Sequence, residues 1–128
     1  MSVVLDASAI IALLKGERGA AKVAAEVGGA RVSSVNYAKV VSHFGHAGMP
    51  EREVDAMLEP LPLIVVPADK AHAQLAGRLR AATAEAGLSL GDRFCLALAQ
   101  RDGLPAWTSD QNWKKIADAV EVKVVAIR

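Results

Sequence analysis

The chain carries one cysteine, Cys95, in 128 residues. No intrachain disulfide can form, and a cytoplasmic setting is the expectation. It has no excess of charge of one sign: the formal net charge is +1, whereas a strongly basic domain is the usual footprint of nucleic-acid binding. Any nucleic-acid role must therefore rest on a local site. No apolar run approaches the roughly 18 residues of a membrane span, so no membrane partner is expected. The apolar N-terminal stretch has no positively charged leader and is interrupted early by Asp6, which does not read as a signal peptide. No internal repeat, low-complexity tract or Gly/Ser or Pro linker divides the sequence, so residues 1–128 are expected to form one domain. Aromatic residues make up only 4 %.

What remains is small and apolar. Hydrophobic residues are 52 % of the chain, with Ala, Val and Leu dominant, a composition suited to helices packed closely on a Val/Ile-rich sheet. The length suffices to bury a core without disulfides or a structural metal. Helical and extended signals alternate, predicting an α/β fold with a parallel sheet. Five strands are predicted, at Val3–Leu5, Arg31–Ser33, Leu63–Val66, Pro105–Thr108 and Lys123–Ile127. Helices are predicted at Asp6–Leu14, Arg18–Val27, Ser34–Phe44, Pro50–Leu58, Asp69–Ala86, Ser89–Arg101 and Asn112–Val120. Tyr37, Val40, Val41 and Phe44 give the third helix an apolar face.

Ligands of open α/β sheets bind beyond the carboxyl ends of the strands, and two acids fall there. Asp6 directly follows the first strand, and Asp110 follows the fourth after Ser109. Asp92 lies in the first turn of the Ser89–Arg101 helix, at the end of a stripe formed with Cys95, Leu96 and Ala99. Carboxylates gathered in one cleft repel unless a cation or a shared proton relieves them. Their hard oxygens suit Mg²⁺ or Mn²⁺, ions that activate water against a phosphodiester. The plainer alternative is that Asp6 and Asp110 are helix caps and that Asp92 balances Arg93 or a helix dipole. Spacing alone leaves both readings open.

Four motifs bear on that choice. Val4-Leu5-Asp6-Ala7-Ser8-Ala9 resembles the opening of PIN-domain proteins, and Ser33-Ser34-Val35-Asn36-Tyr37-Ala38 resembles their second motif. Leu90-Gly91-Asp92-Arg93-Phe94-Cys95-Leu96-Ala97 is similar to the third motif of VapC-type toxins, and Thr108-Ser109-Asp110 followed by Trp113 resembles the fourth. Their order and spacing cover nearly the whole chain. The resemblance implies a central parallel sheet of about five strands flanked by helices. It implies a toxin endoribonuclease dependent on Mg²⁺ or Mn²⁺, with Asp6, Asp92 and Asp110 as catalytic metal ligands. It also implies an RNA substrate, a homodimer and inhibition by a cognate antitoxin.

At one position the chain departs from that pattern. The second motif of the family ends in an acidic residue, and here the residue is Lys39. A lysine cannot ligate a metal as a carboxylate does, because a protonated ammonium has no acceptor. An acidic quartet carries four negative charges, whereas Asp6, Asp92, Asp110 and Lys39 together carry a net two. The substitution thus supplies as much charge as one divalent ion. Each close pair near a surface is worth about 1–4 kcal/mol of Coulomb energy before desolvation. The fold is expected to survive, with Lys39 near Asp6 or Asp92, and the metal to bind worse. The alternative is that Lys39 points to solvent.

Arg93, Lys114 and Lys115 flank two of the acids and are candidates for contact with RNA phosphates, with ordinary solvated charge as the alternative; Ser109 is a candidate for a phosphate or a metal-bound water, with backbone capping as the alternative. His43 and His46 stand at i, i+3, but no third ligand is suitably spaced for zinc. His72 is expected at the surface. Cys95 is expected to be a buried, inert thiol, and Trp113 a packing residue. Met49, Met57 and Leu58 belong either to the core or to a groove that receives the antitoxin. A catalytically silent binding module that dimerises and holds an antitoxin is the second reading. A receiver-type signalling domain is the third, disfavoured because Asp6 has no acidic neighbour.

Overall fold

The computed structural model describes residues 2–128. Its strands are β1 (Val4–Leu5), β2 (Arg31–Ser33), β3 (Ile64–Val66), β4 (Ala106–Thr108) and β5 (Val124–Ala126). Its helices are α1 (Ala7–Lys15), α2 (Ala20–Ala24), α3 (Ser34–His46), α4 (Glu51–Leu58), α5 (Lys70–Arg78), α6 (Arg80–Thr83) and α7 (Leu90–Asp102), with a 3₁₀ helix at Gln111–Lys115. The five strands form one sheet in the order β3-β2-β1-β4-β5, and every pairing is parallel. Each predicted strand is present with its ends moved by at most one residue.

The central strands β1 and β4 are buried on both faces, whereas Ile64 and Val65 on the edge strand β3 are exposed. Successive residues of a strand face opposite sides. Leu5 and its register partner Trp107 join a core with Ile10, Val32, Val40, Phe44, Val54 and Leu58. Val4 and its partner Ala106 join a second core with Leu96, Leu98, Trp113, Ile116 and Val120. Leu58 is thus a core residue, while Met49 and Met57 pack against the core partly buried. No helix among the described residues is long and apolar enough to cross a membrane.

Three helical expectations need correction. The predicted Arg18–Val27 helix is cut to α2, because Gly19 adopts φ 96° before it. A Cβ on Gly19 would lie 2.7 Å from the Ile127 carbonyl oxygen, so only glycine fits at this turn. The predicted Asp69–Ala86 helix breaks at Leu79. The Leu79 carbonyl accepts the buried Thr83 hydroxyl at 2.8 Å and the Ala82 N–H at 3.2 Å, a tighter turn that interrupts the α ladder. The predicted Asn112–Val120 helix is a 3₁₀ turn followed by irregular backbone that ends at Glu121, which has φ 56°.

His72 is also corrected: it is buried rather than at the surface. Asp69 caps α5 by accepting the His72 N–H at 2.8 Å, which turns the imidazole onto α7. There Nε2 lies 2.9 Å from the Phe94 carbonyl oxygen, and the ring meets the Phe94 ring edge-on at 5.1 Å.

Candidate active site

From β1 the chain moves outward to β2 and β3, then returns to the other side of β1 to form β4. The crevice between the carboxyl ends of β1 and β4 is therefore the switch point of the sheet, the place where open α/β folds bind ligands. Asp6 leaves the end of β1 and Asp110 lies two residues beyond the end of β4.

Asp6 is the N-cap of α1. Its Oδ1 accepts the Ala9 N–H at 2.8 Å and the Ser8 hydroxyl at 2.7 Å. The carboxyl group is almost fully buried, and this desolvation raises its pKa from 3.8 to about 6. The charge of Asp92 adds to the rise, while the hydroxyls of Thr108 and Ser8 and the Ala9 N–H oppose it. Ser8 Oγ also accepts the Ser109 N–H at 2.9 Å, and Thr108 Oγ1 accepts the Asp110 N–H at 3.0 Å. The turns after β1 and β4 are thereby stitched together.

Asp92 divides its two oxygens. Oδ2 accepts the Ser89 N–H at 2.9 Å, and Ser89 Oγ accepts the Asp92 N–H at 3.2 Å, closing a capping box at the start of α7. Oδ1 faces the Lys39 ammonium at 3.9 Å. Lys39 is exposed over 45 % of its side chain, so the pair is worth at most about 1 kcal/mol in water, the low end of the Coulomb range expected from the sequence. Asp110 is exposed, and its Oδ1 caps the 3₁₀ helix by accepting the Asn112 N–H at 2.9 Å. All three acids thus cap helices, and Asp6 and Asp92 also sense each other electrostatically.

Lys39 reaches Asp92 by lying across Gly91. A Cβ on Gly91 would stand 2.8 Å from Lys39 Cδ and 3.1 Å from Nζ. The atoms that would have to yield are the free end of a flexible chain. Gly91→Ala is therefore expected to push the ammonium away from Asp92 rather than unfold α7. In urea denaturation, Gly91→Ala should stabilise a Lys39→Ala protein by about 0.5–1 kcal/mol through helix propensity and the parent chain by less. Equal gains in both backgrounds would show that the two residues do not touch.

Asn36, on α3, was not singled out by the sequence. Its side chain has no exposure. Oδ1 accepts the Ala7 N–H at 3.1 Å, and Nδ2 donates to the Gly91 carbonyl at 3.0 Å. The signal for it was a polar residue at i, i+4, i+8 with Val40 and Phe44, all three of them buried.

Arg93 lies in the first turn of α7, partly buried, with its Nε enclosed and without a hydrogen-bond partner. Ser109 is half-buried beside Ser8, and Lys114 is exposed on the 3₁₀ helix. His43 and His46 line a shallow surface depression with Lys39, Ser42 and Ala47. Cys95 is buried, and burial pushes its thiol well above its ordinary range. The charges of Asp6 and Asp92 reinforce that rise and Lys39 opposes it, so the thiol stays protonated and inert.

Hard carboxylate and hydroxyl oxygens are the right kind of donor for Mg²⁺ or Mn²⁺. In number and charge the residues do not fit. Among the described residues no three His, Cys, Asp or Glu side chains are grouped to hold an ion, and the free oxygen of Asp92 already faces an ammonium.

The model of the PIN domain family matches residues 3–119. No curated protein matches the sequence. Among solved structures, a toxin–antitoxin complex from Klebsiella pneumoniae is 22 % identical, with a TM-score of 0.75 and coverage of 99 % of this chain and 98 % of that one. The DNA-bound VapBC of Salmonella typhimurium is 16 % identical at a TM-score of 0.75, covering 100 % of this chain and 99 % of that one. VapC20 of Mycobacterium tuberculosis, a toxin that cleaves the sarcin–ricin loop, is 15 % identical at 0.73, covering 89 % and 94 %. At these identities the likeness is one of fold.

Proposed function

This chain belongs to the PIN domain family, and from that membership we propose that it is the toxin of a toxin–antitoxin pair, an endoribonuclease scaffold whose activity Lys39 impairs. The observation that carries the proposal is Asp6 at the switch point of the sheet, linked through Asn36 to the α7 turn that bears Asp92, with the Lys39 ammonium 3.9 Å from Asp92. Nucleases of the family generally use divalent metal ions. Mg²⁺ or Mn²⁺ is the ion that Asp6, Asp92 and Asp110 would recruit if position 39 carried a carboxylate. No chemical step is assigned to the ion in the chain as it stands.

The remaining roles belong to the protein's own groups. Arg93, Ser109 and Lys114, each within four residues of one of the acids in sequence, would supply donors for the phosphates of an RNA strand. A cognate antitoxin and a homodimer complete the reading, and the solved neighbours that are toxin–antitoxin complexes support the first of these. In sedimentation velocity at micromolar concentration the free protein is expected to run as a dimer. A monomer alone would remove the homodimer from the proposal.

The Lys39–Asp92 pair favours a second reading, a silent module that holds an antitoxin without cutting RNA. An RNA cleavage assay with Mn²⁺, on antitoxin-free protein and on its Lys39→Glu form, separates the two. Cleavage that appears with Lys39→Glu and disappears again with Asp6→Asn supports the nuclease scaffold. Cleavage in neither form leaves the binding module.

A further inference from the structure

Asn36 stands apart from the acids in sequence, yet it touches the residue next to each of the two that matter most. Ala7, whose N–H it accepts, follows Asp6, and Gly91, whose carbonyl it bonds, precedes Asp92. The two bonds span 29 and 55 positions of sequence. One planar amide therefore joins the first turn of α1 to the first turn of α7 from a position on α3. We propose that Asn36 is a positioning residue, a clamp that fixes the separation of the Asp6 and Asp92 carboxylates and so decides what can stand between them. The inference rests on the reading of Asp6 and Asp92 as the functional pair.

The chemistry of the clamp admits few substitutes. It needs one acceptor and one donor on a short, rigid group with no charge. An ionised Asp has no donor, and Leu has the size but neither polar atom. A Gln carries the amide one carbon too far. The position is fully buried, so water does not readily replace either bond. Catalytic and binding groups must be held within about 0.5 Å, by neighbours whose own positions are locked. Asn36 is locked in this way, since it shares its stripe on α3 with the core residues Val40 and Phe44.

Buried hydrogen bonds also stabilise a fold, so the test must separate placement from stability. In the Lys39→Glu protein, Mn²⁺ affinity is read by electron paramagnetic resonance at a temperature where circular dichroism shows full folding. Asn36→Ala, and the volume-filling Asn36→Leu, are each expected to weaken Mn²⁺ tenfold or more. Thr83→Ala removes a buried side-chain hydrogen bond on α6 that is no part of the clamp, and is expected to lower the melting temperature with Mn²⁺ affinity unchanged. Equal affinity with and without Asn36, or an equal loss with Thr83→Ala, overturns the clamp.

A second arm uses the Lys39 protein without metal. Asn36→Leu is expected to speed amide exchange at Ala7 and to shift the amide resonances of Gly91 and Asp92, while Ala9, held by Asp6, keeps its protection. No change at Ala7, Gly91 and Asp92 overturns the clamp by itself. Should Lys39→Glu alone fail to bind Mn²⁺, the nuclease reading falls and this second arm still decides the role of Asn36.

Discussion

Lys39→Glu is expected to convert a protein that responds little to Mn²⁺ into one that binds it at least about tenfold more tightly and cleaves RNA. The substitution changes the local charge by two units at a point 3.9 Å from the free oxygen of Asp92. At an effective dielectric constant of about 20, one charge pair at 4 Å is worth about 4 kcal/mol. Exposure of 45 % of the Lys39 side chain reduces that greatly. Only about 1.4 kcal/mol need survive for a tenfold change, and the added carboxylate also supplies a ligand. Without metal the sign reverses: Asp92 loses its ion pair and gains a repulsion, so the variant should be less stable by about 1 kcal/mol or less. Calorimetry and RNA cleavage on both forms, with and without Mn²⁺, check the two signs together. If Lys39→Glu binds Mn²⁺ no better and cuts no RNA, and Asp6→Asn alters nothing, the active-site reading is wrong.

The parts of this structure that were legible in the sequence are those fixed by local chemistry. Most strands were legible because they are short runs rich in apolar residues: Val3–Leu5 ends at Asp6, Leu63–Val66 at Pro67 and Lys123–Ile127 at Arg128. Asp6 was legible as a cap because it lies just before a helical stripe and accepts a backbone N–H inside it. The break at Leu79 was not legible, since its mark is a carbonyl shared by the Thr83 hydroxyl and the Ala82 N–H, and Thr83 reads like any other helical residue. The start of α2 was equally hidden, because Gly19 turns there against Ile127, more than a hundred residues away in sequence.

The site divides in the same way. Acids at strand ends announce themselves. The neutral groups that hold them do not, because their meaning depends on which backbone atoms the fold brings near. Asn36 could have been suspected as a polar residue on a buried stripe, but the stripe expected for α3 was Tyr37, Val40, Val41 and Phe44. In the structure Val41 is exposed and Asn36 is buried in its stead. A small rotation about the helix axis thus separates the apparent apolar face from the real one. The same rotation turns a polar residue from an anomaly into the link between two turns.

Asp6→Asn is expected to stabilise the metal-free protein at neutral pH and to flatten much of its dependence on pH. Burial raises the Asp6 carboxyl from 3.8 to about 6, so the folded protein holds this proton more tightly than the unfolded chain does. The stability contributed by the protonated group is therefore fully present below about pH 4 and is lost as pH rises through about 6. A shift of this size corresponds to about 3 kcal/mol. Asparagine keeps an oxygen to accept the Ala9 N–H, as an N-cap must, and carries no charge to desolvate. Urea denaturation in EDTA should therefore show Asp6→Asn more stable than the parent chain at pH 7.5 by up to about 3 kcal/mol, with the gap closing toward pH 4. The two proteins differ at this one group, so the difference between them isolates Asp6. A parent chain that gains on the variant as pH rises would show that the Asp6 carboxylate is stabilised rather than strained in its ionised form. In the Lys39→Glu protein with Mn²⁺ the order is expected to invert, because a cation bound between the acids favours the ionised carboxylate that burial alone disfavours. A group that costs stability when the site lacks a cation and gains it when one binds marks a residue kept for binding rather than for folding. A helix cap alone would favour Asp over Asn little or not at all, with or without Mn²⁺.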